Sequence, residues 1–199
     1  MKVQAIGLVV ILQTLLAACA HAPTAVDDNH VGNRYYDEGN YQAALAKYRS
    51  ALTLAQGGKD QQYEAIAMFG IARAHAHLCQ VQEAETWFKR SIAARRNLPN
   101  LEVAYLTQNL LEYARFLRAR SRYKEAVGLY EEAMPALDSL GVETRDPMGF
   151  VLVLKEYEAL LQAVGRSADA QSIATKAATI EAQNQGQKPK FTPEAFPKC

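Results

Sequence analysis

Gly39-Asn40-Tyr41-Gln42-Ala43-Ala44-Leu45-Ala46-Lys47-Tyr48-Arg49-Ser50-Ala51-Leu52 decides the fold, because its pattern returns three more times along the chain. With Ala44 as the anchor, equivalents stand at Ala84, Ala126 and Ala170, at spacings of 40, 42 and 44 residues. Four residues after each anchor come Tyr48, Phe88, Tyr130 and Ala174, and seven after come Ala51, Ser91, Ala133 and Ala177. Offsets of four and seven fall on one helical face, so each copy reads as a helix with a single buried stripe. Five residues ahead of the anchors are Gly39, Cys79, Ser121 and Gly165, where a preceding helix must end and the chain reverse. Glycine suits such a turn because positive φ costs it no strain. A period of this length with a turn inside it predicts stacked helix-turn-helix units, each burying its apolar face only against its neighbours.

Working outward, the first helix of each unit carries its own stripe: Val31, Gly32 and Tyr35; Met68, Ile71, Ala72 and His75; Leu110, Tyr113, Ala114 and Leu117; Leu154, Tyr157 and Leu161. Gly32, Ala72 and Ala114 are small enough for paired helices to approach closely. Gly57-Gly58-Lys59-Asp60, Asn97-Leu98-Pro99-Asn100 and the stretch from Gly141 to Asp146-Pro147 separate the units, which span about 29–56, 61–96, 101–141 and 147–183. Asp146 can cap a helix whose first residue is Pro147, where the missing N–H costs nothing. Pro135 lies inside a helix and should bend it or loosen its turn. The fourth unit departs from the pattern, with Glu158 at a position that is small elsewhere and Ser167 in place of Tyr41, Val81 and Tyr123. The last helix shows Asp169, Ser172, Lys176, Thr179 and Gln183 on one side, polar enough to close the array. Residues 184–199 read as an irregular tail.

The segment from Gly39 to Leu52 resembles the tetratricopeptide repeat (TPR), and the resemblance spans roughly residues 28 to 182. The 42-residue spacing, and Tyr123-Lys124-Glu125-Ala126 followed by Tyr130, Ala133, Leu137 and Gly141, are similar to the longer kinesin-light-chain type of that repeat. The resemblance implies an all-α fold, an α-solenoid of about four units in a right-handed superhelix, with the first helices lining a concave surface.

A second resemblance covers residues 1–20. Met1-Lys2, an apolar run from Val3 to Ala18, and Leu16-Ala17-Ala18-Cys19 resemble a bacterial lipoprotein signal. The run is shorter than the ~20 apolar residues that span a bilayer, which favours a processed signal over a retained helix. The resemblance implies removal of residues 1–18, lipidation of Cys19 and a tether over 19–28. Two or three acyl chains anchor stably where one does not. Ala20 is not the aspartate that the family's sorting rule associates with inner-membrane retention, so in a Gram-negative cell the implied place is the outer membrane, facing the periplasm.

Lys and Arg total 22 against 21 Asp and Glu, and become 21 against 21 once Lys2 leaves with the signal, so no global field favours nucleic acid. Cys79 and Cys199 remain as thiols. In an oxidising compartment they could pair, although one belongs to a helical turn and the other ends a Pro-containing tail. His75 and Cys79 stand four apart and are a possible half-site for a metal, but the repeat explains both positions and no further ligand is suggested. No phosphate loop, Ser-centred elbow or paired His-Glu motif is present. The sequence therefore predicts neither an enzyme nor a cofactor.

Register with the turns places Asn29, Asn33, Tyr36 and Asp37, then Ile66, Phe69, Arg73 and His77, then Gln108, Leu111, Arg115 and Arg118, then Leu152, Lys155, Ala159 and Gln162 on the concave side. Arg73, Arg115, Arg118 and Lys155 there face one aspartate, which predicts a locally basic groove. The partner-binding residues expected are Asn33, Tyr36, Arg73, His77, Arg115, Arg118 and Lys155, and an acidic or carboxylate-ended segment of a protein would suit them, since Arg offers carboxylate a fork of donors. Chaperone-binding members of the family clamp a terminal carboxylate, but of the clamp positions only Asn33 matches, Gly70, Gln108 and Glu112 standing at the others. The expected function is a membrane-anchored interaction scaffold. An alternative is an assembly factor for a pilus, secretin or outer-membrane protein.

Overall fold

A computed structural model describes residues 22–100 and 102–199; the signal-like segment and Cys19 lie outside the described residues. Among those residues the fold is all helical, with α1 (Ala25–Asp37), α2 (Tyr41–Gly58), α3 (Gln61–His77), α4 (Val81–Arg96), α5 (Val103–Arg118), α6 (Tyr123–Ser139), a single turn α7 (Val142–Arg145), α8 (Pro147–Ala163) and α9 (Ser167–Gln183). Consecutive helices pack as the pairs α1/α2, α3/α4, α5/α6 and α8/α9, and α2 packs in turn on α3. No described helix is long and apolar enough to cross a membrane.

The reversals fall where the repeat places them. Gly39, Cys79, Ser121 and Gly165 all have positive φ, between 58° and 81°. At Cys79 and Ser121 an L-residue accepts the left-handed region, which shows that the unit's geometry outweighs local preference. The anchors Ala44, Ala84, Ala126 and Ala170 are buried, as are Tyr48, Phe88 and Tyr130 four residues on. Tyr48 explains two glycines. A Cβ on Gly32 of α1 would lie 2.7 Å from its ring, and one on Gly70 of α3 would lie 2.6 Å away, so the ring fills a slot that only glycine leaves open on either side.

Three boundaries differ from those read in the sequence. The first helix starts at Ala25, inside the stretch expected to be tether. Thr24 and Asp27 form a reciprocal capping box there, which makes the earlier start favourable. Gly57 and Gly58 belong to α2, whose end is set by Lys59 in the left-handed region. The stretch between Gly141 and Asp146, expected as a plain connection, holds the short α7. Pro135 sits inside α6, and Asp146 caps α8 ahead of Pro147 by accepting from the Gly149 N–H at 3.0 Å. Asp169, Ser172, Thr179 and Gln183 of α9 are exposed, so the array ends on a polar side.

Candidate functional site: a concave face crossed by its own tail

The helices α1, α3, α5 and α8 present one face to the C-terminal tail. The tail is irregular, as its Pro and Lys content predicts, yet it is anchored along its course. Its first hold is Asp146. While one carboxylate oxygen caps α8, the group also accepts from the N–H groups of Lys190 and Phe191 at 3.1 and 3.0 Å. Burial alone would raise the Asp146 pKa, but these backbone N–H bonds hold it below the usual carboxylate range. Phe191 then lies 5.6 Å from the Arg115 guanidinium, beside Leu111 and Val153.

Glu194 is the centre of the arrangement. It accepts from Arg73 Nη2 at 2.9 Å and His77 Nε2 at 2.7 Å, and from the Tyr36 hydroxyl. The Arg73 guanidinium lies 4.0 Å over the Tyr36 ring, and His77 stacks on Tyr41 at 4.3 Å. Burial works against the Glu194 charge, but these donors dominate and hold its pKa down at about 2. Glu112 shares Arg73 from the other side, with its Oε2 3.1 Å from Arg73 Nε. That contact is electrostatic only, because the Nε hydrogen points to Glu194 and Glu112 Oε2 has no hydrogen bond. Burial, reinforced by the Glu194 charge and only partly countered by Arg73, pushes Glu112 up to about 7.

Two residues on, Phe196 is buried within 5.1 to 6.2 Å of His77, Phe88 and Phe116. The tail ends in a disulfide between Cys199 and Cys79, at the turn of the second unit. Cys79 is therefore not available to a metal, and His75 is buried against Gln80 and Arg49.

The structure brings three of the residues singled out in the sequence, Tyr36, Arg73 and His77, onto a single carboxylate, and that carboxylate belongs to the same chain. Asn33 stands nearby and accepts from the Tyr48 hydroxyl at 2.8 Å. Arg115 and Arg118 both pair with Glu156 of α8, at 2.9 and 3.1 Å, and Tyr130 donates to the same acid. Lys155 pairs instead with Glu181 of α9, and no contact joins it to the arginines. The four cations expected to leave the groove basic are thus each matched by an internal acid. Sequence reading missed Glu194, Glu112, Glu156 and Glu181 as their partners. Glu156 lies 41 residues after Arg115 and Glu194 lies 121 after Arg73, too far apart for any helical spacing to show.

Comparison with known proteins follows the same lines. The sequence profile of the tetratricopeptide repeat matches residues 25–97, and a second profile of that repeat matches residues 110–141. The chain belongs to the tetratricopeptide-repeat family. No curated protein sequence matches it. BtubC (BKLC) from P. vanneervenii is similar in structure, with a TM-score of 0.72 at 17% identity, over 86% of this chain and 68% of that one. The nearly identical TPR-like repeats of a kinesin-light-chain-type protein from Podosopora anserina superpose with a TM-score of 0.62 at 21% identity, over 82% and 77% of the two chains. At such identities the likeness is one of fold. TPR arrays in general serve as protein-interaction scaffolds, and the groove of this TPR protein is built as they are, from first helices in register.

Proposed function

We propose that this TPR protein is a lipid-anchored scaffold of the bacterial envelope, held through Cys19 on the outer membrane and facing the periplasm, where it binds an extended segment of a partner protein on its concave face. The Cys79–Cys199 disulfide is the observation that carries the compartment. Such bonds persist in oxidising surroundings and are rare where thiols are kept reduced, which agrees with the export implied by Leu16-Ala17-Ala18-Cys19. The grip on Glu194 supports the partner class. An extended chain with a single carboxylate between two phenylalanines, Phe191 and Phe196, is what this face already accommodates, and a partner segment that presents a carboxylate in the same way would suit the part of the face that the tail leaves open. Exposed Tyr105, near the start of α5, borders that part.

Radiolabelled palmitate, membrane fractionation and thiol trapping in cells test the reading together. The wild-type protein should take up label, sediment with membranes and have both remaining cysteines blocked. Cys19→Ser should lose the label and leave the membrane fraction or remain unprocessed. Membrane retention unchanged in that variant, with Cys79 and Cys199 reduced in cells, would overturn it.

A further inference from the structure

The tail covers only part of the concave face. Beside it lies an open cavity of about 270 Å³ whose walls include Asn29, Asn33, Tyr63, Tyr105 and Gln108, with Arg95 among them. Arg95 comes from α4, the second helix of its unit, and is 2% exposed. Arg73, Arg115 and Arg118 each have a carboxylate within ion-pair distance. Arg95 has none among the described residues, and Glu102, the acid whose charge it feels, accepts instead from Gln62 at 3.2 Å. With the Asn109 amide oriented to satisfy its neighbours, its oxygen accepts from Arg95 Nε at 3.1 Å, but the buried Arg95 Nη1 has no hydrogen-bond partner among the described residues. Over the guanidinium lies the Tyr105 ring, 4.9 Å away and part of a residue that is 46% exposed.

A guanidinium taken out of water without an acid is a standing cost to the fold, and the cost is removed when a carboxylate arrives with the right geometry. A second orphan in the same cavity is of the opposite kind: Asn29 Oδ1 is buried with no donor. A ligand that satisfies both needs a carboxylate and an N–H, which is what a peptide segment carries.

We propose that Arg95 anchors a carboxylate-binding subsite on the concave face, taking an acidic side chain or chain-end carboxylate of the partner's segment while Asn29 accepts one of its backbone N–H groups. Tyr105 is the movable roof of this subsite. The proposal rests on the reading that the concave face holds a partner, and it names the residue that does the holding.

Nuclear magnetic resonance titration of the purified full-length protein, with its disulfide intact, tests it. The probes are a capped pentapeptide of alanines with a central glutamate and an uncapped-carboxylate pentapeptide of alanines, each beside its uncharged amide counterpart, and inorganic phosphate. Carboxylate peptides should shift the Arg95 Nε–H and Tyr105 amide signals, and the uncharged peptides should not; the tighter of the two acids tells whether a side chain or a chain end is preferred. Arg95→Gln should weaken binding roughly tenfold or more. Arg95→Lys should keep part of the affinity, and Tyr105→Ala, which uncovers the charge, should bind at least as tightly as wild type. Equal binding of charged and uncharged peptides, equal binding by inorganic phosphate, or wild-type affinity in a normally helical Arg95→Gln protein would each overturn the proposal. If Arg95→Gln does not fold, the wild-type shifts and Tyr105→Ala decide. A partner captured on the concave face but indifferent to Arg95→Gln would sink this subsite and leave the scaffold reading standing.

Discussion

Replacing Glu194 by glutamine removes the charge around which the tail is folded while keeping its bulk. In the folded protein the Glu194 pKa lies at about 2 against an ordinary 4.5, because His77, Arg73 and Tyr36 outweigh the burial that opposes its charge. A depressed folded value means that the unfolded chain takes the proton first. The stabilisation is therefore fully present above about pH 4.5 and is lost as pH falls from there towards 2. Its size is about 3 kcal/mol at neutral pH. Part of this is offset by Glu112, whose pKa is raised to about 7 by burial and by the Glu194 charge. Once Glu194 is neutral, Arg73 serves Glu112 alone, and Glu112 moves back towards the usual range. The net loss expected for Glu194→Gln is about 1–3 kcal/mol at pH 7.5. Urea unfolding of the oxidised protein at pH 7.5 and pH 3, with the Glu112 carboxyl carbon followed by nuclear magnetic resonance, measures both effects. The gap between wild type and variant should shrink to less than half at pH 3, and the Glu112 midpoint should fall. A gap of the same size at both pH values, or an unmoved Glu112 midpoint, would refute the account of this cluster.

Glu112 gives a second pH window of opposite sign: its raised pKa means the folded state binds the extra proton between about 7 and 4.5, so wild-type stability should rise on acidification across that range, and Glu112→Gln should remove the rise in the same urea titration. Cys199→Ser opens a loop whose ends are 120 residues apart, which should cost about 2–5 kcal/mol in urea unfolding and speed tryptic cleavage of the Lys190–Phe191 bond while the helices resist. Gly70→Ala would drive a Cβ to 2.6 Å from the buried Tyr48 ring and should destabilise by about 1–3 kcal/mol in thermal unfolding. Gly128→Ala, in open space within α6, should stabilise by roughly 0.5–1 kcal/mol, and equal effects of the two substitutions would contradict the packing described for Tyr48.

The repeat was legible because its signal is local and recurs. Ala44, Tyr48 and Ala51 define a face by spacing alone, and a turn shared by Gly39, Cys79, Ser121 and Gly165 is visible even where the residue is not glycine, since register supplies what residue type does not. The concave positions Tyr36, Arg73 and His77 followed from the same register. What answers them did not, because an ion pair between a helix and a distant tail has no period. Glu194 sits among Pro193, Ala195 and Phe196 with nothing in the sequence to tie it to Arg73, and the pairing of Cys79 with Cys199, left open by the sequence, is what brings it there. Arg95 was hidden for a related reason: it belongs to a second helix, and only the packing of α4 against α5 turns it towards the concave cavity. The short α7 and the early start of α1 were missed because each is set by a few cap and turn residues and not by the hydrophobic stripe.

Site-specific photo-crosslinking in living cells tests the central claim most directly. A photoreactive residue in place of Gln108, exposed on the open part of the concave face, should trap a discrete partner protein, and one in place of Ser172, on the outer side of α9, should not. The same trapped protein from both positions, or trapping from Ser172 alone, would contradict a partner-binding concave face.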